Sequence, residues 1–203
     1  MASGLLIAFE GVDGSGKTTQ AEMLAASLKK DGYQVVLTRE PTHGPAGQKL
    51  QAYLLGPSRH LSPMEELHLF NEDRREHVEQ VINPSLAQGK VVITDRYYYS
   101  TAAYQGALGL NPNDILAANE AFAPAPDLVF ILELPVTEAM ARLAKKGKAA
   151  RQLSESFPYL KQVEAIYASL KGPRFLRLDA SRPPMEVHAL ILEEVRRSLK
   201  ELP

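Results

Sequence analysis

The run Gly11-Val12-Asp13-Gly14-Ser15-Gly16-Lys17-Thr18 constrains this chain more than any other stretch of it. It fits the spacing G-x-x-x-x-G-K-[ST] at every specified position. Glycines let the backbone wrap with its N–H groups pointing inward, and a helix starting at the end of the loop adds the positive end of its dipole. Such a loop can cradle a polyphosphate, with Lys17 adding a positive charge and Thr18 a hydroxyl suited to Mg²⁺. The motif is informative only between a strand and a helix, and both flanks agree. Leu5 to Phe9 is wholly apolar, the pattern of a strand buried on both faces. From Thr18 to Lys30, Ala21, Leu24, Ala25 and Leu28 recur at helical spacing, and Asp31-Gly32 supplies the stop.

Four more strands are predicted at Gln34–Arg39, Val91–Thr94 running into Asp95, Asp127–Leu132 and Arg174–Asp179, with helical patterns between them. A loop from Pro41 to Gly47 leads to a helix predicted over Gln48–Leu55. Ser62, Pro63 and Glu65 open a longer helix reaching about Gln88, which Pro84 should kink or split. Strands alternating with helices imply right-handed crossovers, hence a parallel sheet of five strands with helices on both faces: a three-layer α/β fold. At 203 residues the expectation is one domain spanning 1–203.

Lys and Arg number 23 against 24 Asp and Glu, so no global field draws the chain to nucleic acid or to a membrane surface, and neither is expected as a partner. The apolar run before Glu10 is far short of a membrane span and reads as the first strand. Absence of cysteine excludes disulfides, thiolate nucleophiles and Cys-based zinc sites, and fits a cytoplasmic location. His43, His60, His68, His77 and His188 have no metal-ligand spacing.

Asp95, at the end of a buried strand, is placed to stand near the Mg²⁺. No Asn-Lys-x-Asp guanine-reading tetrad occurs, which weighs against a GTPase. Arg39, Arg74 and Arg96 stand at strand ends or on the helix after the first crossover, and arginine suits bidentate phosphate contact. A monophosphate acceptor is largely dianionic at neutral pH, its second pKa being about 6, and needs positioning more than a base.

Four segments in order, Phe9 to Thr19, Thr-Arg-Glu-Pro at 38 to 41, Leu-Phe-Asn-Glu-Asp-Arg at 69 to 74 and Asp-Arg-Tyr-Tyr-Tyr-Ser-Thr-Ala-Ala-Tyr-Gln-Gly at 95 to 106, resemble the signatures of bacterial thymidylate kinases. The resemblance implies a P-loop kinase fold with a small lid at about 144–156, ATP and Mg²⁺ as cofactors, dTMP as the small-molecule partner, and a homodimer. It implies that residues Gly11 to Thr19 bind ATP and that Phe70 stacks on thymine while Arg74 hydrogen-bonds it. It further implies that Arg96 sits between the acceptor phosphate and the γ-phosphate, with Arg39 also on the substrate side. Thr101 and Gln105 would line the base site, Tyr104 would lie beneath the sugar, and Asp13 would hold the 3′-hydroxyl. Periodicity alone would put Phe70 in the core, and Arg74, amid Glu72, Asp73, Arg75 and Glu76, on a solvated face. The run Tyr97 to Tyr99 reads mainly as packing.

The phosphate loop has no basic residue among Val12, Asp13, Gly14 and Ser15, and the resemblance then implies that the lid supplies the missing charge, although a basic run by itself reads equally as a solvated loop. Lys145 to Arg151 is the basic candidate, and Arg151 matches the family's lid arginine. By the same resemblance Arg142 would pack on adenine and the loop Ala180 to Pro183, with Arg182, would close the base pocket. Three departures stand out: Thr42-His43-Gly44 replaces Gly-Gly-Thr, Gln51 replaces a phosphate-binding arginine, and Ala150-Arg151-Gln152-Leu153 lacks both flanking acids of the lid. Two other functions are compatible with the loop: a deoxynucleoside kinase using Glu40 as general base, and an ATPase switch.

Overall fold

The computed structural model describes residues 4–56, 60–145 and 156–201. Strands β1 (Leu5–Glu10), β2 (Val35–Arg39), β3 (Val91–Asp95), β4 (Leu128–Glu133) and β5 (Phe175–Asp179) form one sheet in the order β2-β3-β1-β4-β5. Every neighbouring pair is parallel. β1, β3 and β4 are central and buried on both faces, which is why their sequences are continuous apolar runs; β2 and β5 lie at the edges and alternate. With β3 on one side of β1 and β4 on the other, the C-terminal end of β1 opens into the crevice where open parallel sheets bind ligands.

The helices are α1 (Lys17–Lys30), α2 (Pro45–Leu55), α3 (Pro63–His77), α4 (Asn83–Ala87), α5 (Tyr98–Gly106), α6 (Pro112–Glu120), α7 (Val136–Lys145), α8 (Phe157–Ser169) and α9 (Pro184–Glu201). α1 buries Ala21, Leu24, Ala25 and Leu28, the face its periodicity predicts. α2 begins three residues before the predicted start because Pro45, read as a loop residue, occupies the first turn, where a missing N–H costs nothing. α3 starts at a capping box: the Ser62 hydroxyl accepts from Glu65 N, and Ser62 N donates to the Glu65 carboxylate at 2.8 Å.

The long helix is divided near Pro84, as expected, and the division takes the form of a π-helical insert. The chain stays helical through a π-turn, Val78–Ile82, where Asn83 N–H donates to the Val78 carbonyl, and Pro84 falls in the first turn of α4. The wider turn accommodates a residue that has no N–H to give and a ring that would clash with an α-helical carbonyl. Tyr97, Tyr98 and Tyr99 are buried, and their rings pack in sequence in tilted pairs with centroids 4.7 and 4.3 Å apart, so the packing assignment for this run holds. Among the described residues no helix is long and apolar enough to cross a membrane.

Candidate active site

The phosphate loop takes its shape from three glycines at positive φ, Gly11 (136°), Gly14 (86°) and Gly16 (100°). At Gly14 the need is double, since a Cβ there would also lie 2.7 Å from the Ala139 carbonyl, so α7 packs directly on the loop. Lys17 is buried and its Nζ donates to the carbonyls of Gly11 and Val12, both at 2.9 Å. Burial, with the positive charge of Arg96 adding to it, lowers its ammonium to about 8. Thr19 lies exposed beyond Thr18.

Thr18 Oγ1 donates to Asp95 Oδ2 at 2.5 Å, which joins the two predicted metal-side residues across 77 positions of sequence. Asp95 Oδ1 is buried and has no hydrogen-bond partner among the described residues, and the same holds for Ser15 Oγ in the loop. No group of three His, Cys, Asp or Glu suited to a metal occurs among the described residues. An ion held by Thr18 and Asp95 would have few protein oxygens and would need phosphate and water for the rest of its shell, as suits Mg²⁺. The donor set fits that ion.

Arg96 lies just beyond β3 with φ 74°, a left-handed conformation that costs a non-glycine residue on the order of 1–3 kcal/mol. Two hydrogen bonds to its backbone hold it: Arg96 N donates to the Phe9 carbonyl at 3.0 Å, and the Thr94 side-chain hydroxyl donates to the Arg96 carbonyl at 2.7 Å. The result aims the side chain at the phosphate loop. Its NH2 donates to Asp13 Oδ1, its NH1 to Ser100 Oγ at 2.9 Å, and its guanidinium lies 5.1 Å from the Tyr104 ring centroid. Asp13 N in turn donates to the Tyr104 hydroxyl at 3.2 Å. Sequence reading placed Asp13, Arg96 and Tyr104 in one site, and the fold brings them together.

Arg74 departs from the solvated face that its charged neighbours predict. It is 1% exposed, because α3 turns it inward against the end of β2, while Glu72 and Arg75 on the same helix face out. Its guanidinium donates to Glu40 Oε2 from Nε (3.0 Å) and NH2 (2.5 Å), to Thr101 Oγ1 (2.9 Å) and to Asn119 Oδ1 (2.8 Å). Glu40 Oε1 lies 3.0 Å from His77 Nδ1. Burial alone would raise the Glu40 carboxyl, but Arg74 and His77 hold it below the usual carboxylate range. Gln105 is fully buried and its Nε2 donates to Glu66 Oε2 at 3.1 Å. Phe70 is half-buried and packs in neither apolar core cluster, contrary to the reading from periodicity alone.

A cleft lined by Thr18, Thr38, Arg39, Thr42 and Asp95 runs beside α1, with Arg39 exposed at its edge. Thr42 closes the loop after β2 onto α3: its Oγ1 donates to Asp73 Oδ1 at 2.5 Å. Gln51, where a phosphate-binding arginine was expected, donates from Nε2 to the Thr42 carbonyl (2.6 Å) and the Pro41 carbonyl (3.2 Å). It is a fastener of that loop. A Cβ at Gly47 would lie 2.3 Å from the Thr42 carbonyl, so the loop also depends on a glycine there.

Arg142, on α7, pairs with Glu138 at 2.7 Å, and Arg182 pairs with Glu186 at 3.1 Å. Arg151 and most of the expected lid, 146–155, lie outside the described residues. Sequence reading missed Glu10, Ser100, Tyr167 and Asn119, all buried polar residues bonded within the site. Only Glu10 carried a signal, a charge closing an otherwise apolar strand.

The model of the thymidylate kinase family matches residues 9–191. The chain is similar to a protein named thymidylate kinase from Desulfotalea psychrophila, 43% identical over 197 residues that cover 97% of this chain and 96% of the relative. Proteins of the same name from Xanthomonas campestris pv. campestris (44% over 201 residues, 97% and 87% covered) and Akkermansia muciniphila (43% over 188 residues, 93% and 89% covered) are similarly related. Likeness of that extent over nearly the full length, on a five-stranded parallel sheet with the phosphate loop at its central strand, means that the chain belongs to the thymidylate kinase family.

Proposed function

We infer that the chain transfers the γ-phosphoryl group of ATP to dTMP, giving dTDP and ADP, the reaction of its family. The observation that carries the transfer site is the Arg96 guanidinium, held at the mouth of the phosphate loop by Asp13 and Ser100. Loop N–H groups and Lys17 grip the β- and γ-phosphates, with Gly11 to Thr19 forming the ATP cradle. Thr18 would hold Mg²⁺ directly and Asp95 would hold it from the outer shell, and the ion would supply charge neutralisation to the phosphates. Arg96 bridges acceptor and donor phosphates, and Arg39 approaches the acceptor from the cleft. Asp13 takes the sugar 3′-hydroxyl and Tyr104 lies beneath the sugar. Arg74 has made four hydrogen bonds with its five N–H groups, leaving one for a base carbonyl, beside Phe70, Thr101 and Gln105. Arg142 and Arg182 attend the adenine, and Arg151 on the lid supplies the last charge.

The deoxynucleoside kinase reading needs Glu40 as a base. Glu40 is 3% exposed, both its oxygens are engaged, and its carboxyl is held below the usual range, which makes it a poor proton acceptor. A dianionic monophosphate needs no such base. One domain over 1–203, a homodimer and a cytoplasmic location complete the proposal.

An acceptor screen tests the reaction. With Mg-ATP fixed, ADP production measured across the common 5′-monophosphates and thymidine is expected to be fastest with dTMP, and a preference for thymidine would replace the proposal with a nucleoside kinase. A second measurement addresses Lys17. Its ammonium is lowered to about 8, and a polyanion favours the charged form, so ATP binding should draw a proton onto it. Calorimetry near that pH in buffers of differing ionisation enthalpy should report net proton uptake that fades as the pH is lowered by about two units. Absence of uptake would separate Lys17 from the phosphates.

A further inference from the structure

Behind Arg96 lies a buried polar cluster that the transfer reading does not use. Glu10, the last residue of β1, is fully buried directly before the phosphate loop. Its Oε1 accepts from Tyr97 N at 2.8 Å; its Oε2 accepts from Ser100 Oγ at 2.5 Å and from the Tyr167 hydroxyl at 3.0 Å. Ser100 Oγ also accepts from Arg96 NH1 and lies 2.9 Å from the Tyr167 hydroxyl. Ser100 has one hydroxyl proton, and donating it in the hydrogen bond to Glu10 Oε2 turns the oxygen's lone pairs toward Arg96. Three elements thereby converge on one guanidinium: β1 through Glu10, α5 through Ser100, and α8 through Tyr167.

The opposite edge of the guanidinium is bound by Asp13. In the proposed reaction Asp13 also meets the sugar, which would compete with its grip on Arg96, whereas Glu10 and Ser100 are buried. Burial raises the Glu10 carboxyl to about 7 in spite of donors from Ser100, Tyr167 and Tyr97. A carboxyl kept in so unfavourable a place is a mark of functional sites. Merely filling the space would need no charge.

We propose that Glu10 is a positioning residue for phosphoryl transfer, fixing through Ser100 the orientation in which Arg96 meets the phosphates. The proposal rests on the reading that Arg96 bridges donor and acceptor. Its consequence is a split between kinetic constants: Glu10 affects the rate of transfer through Arg96 and leaves ATP binding to the loop alone.

A double-mutant cycle tests this, with Glu10→Gln, Arg96→Ala and the pair, each checked for a wild-type-like unfolding transition. Glu10→Gln is expected to lower kcat about 10- to 100-fold, the range that supporting hydrogen-bond partners of functional groups command, with KM for ATP within about twofold. In the Arg96→Ala background the same change should have almost no effect on kcat, because the group it orients is gone. Ser100→Ala, which cuts the link from the other end, should reproduce the loss and guards against a fold specific failure of Glu10→Gln. Equal losses in both backgrounds, or a rise in KM for ATP matching the fall in kcat, would overturn the positioning role while leaving Arg96 in place. If Arg96→Ala alone leaves kcat unchanged, the bridging reading itself falls.

Discussion

Replacing Arg96 by alanine should lower kcat by roughly 10²–10³-fold, the scale of removing one preorganised charge donor from a transition state, with KM for ATP changed by no more than about threefold. The asymmetry follows from where the guanidinium stands. It touches Asp13 and Ser100 and lies against Tyr104, at the mouth of the loop, whereas in the proposed reaction the loop backbone and Lys17 would hold ATP. Charge on the transferring group matters most in flight, so ground-state binding is spared. Lysine at this position should restore little, since a point charge cannot reach Ser100 and a phosphate together as a planar fork does. Glycine separates backbone from side chain. At φ 74° it removes local strain, so Arg96→Gly should unfold at least as hot as Arg96→Ala while being as inactive. Steady-state kinetics with thermal unfolding on all three variants makes the check; parallel losses in kcat and ATP affinity would mean that Arg96 shapes the loop and does not act on the phosphates.

Arg74→Met should destabilise the protein by about 3–5 kcal/mol, the penalty for stranding a buried charge. The stranded group is Glu40, 3% exposed, which loses two N–H donors and, among the described residues, keeps His77 as its side-chain partner. For a chain of this size each kcal/mol moves Tm by about 2–4 °C, so a fall of roughly 10 °C is expected. Adding Glu40→Gln should recover most of it, because a neutral amide bears burial far better than an unpaired carboxylate. The pH dependence has a definite sign. In the wild type Glu40 is held below its ordinary value, so its contribution to stability is present above that value and is lost as pH falls through the lowered one. In Arg74→Met the same carboxyl, now raised by burial, binds a proton on mild acidification, and the gap between variant and wild type should narrow from neutral pH toward about pH 5. Denaturant titrations at several pH values measure that gap; a gap that widens in acid would mean that Glu40 is not the stranded charge.

Much of this arrangement can be read from the chain without coordinates. The phosphate loop is legible because its function depends on consecutive residues, 11 to 18, whose glycines meet local conformational needs at Gly11, Gly14 and Gly16. The central strands are legible because burial on both faces requires unbroken apolar runs, and β1, β3 and β4 each show one. What periodicity could not resolve was Asp73-Arg74 within a run of charges. Charge alone predicts solvent, and the pair is buried only because partners arrive from afar, Glu40 34 positions earlier and Asn119 45 later.

Asp95 and Thr18, 77 residues apart, and Arg96 and Asp13, 83 apart, could be assigned to one site from sequence, but not the hydrogen bonds that link each pair. Of Glu10, Ser100 and Tyr167, separated by up to 157 residues, only Glu10 left a signal, and nothing in the sequence joined it to the other two. Sequence by itself determined the phosphate loop, the five strands and the residue types that chemistry would need. Tertiary structure decided which of those side chains meet, because hydrogen bonds reach about 3 Å and only the packing of helices on the sheet brings distant residues that close.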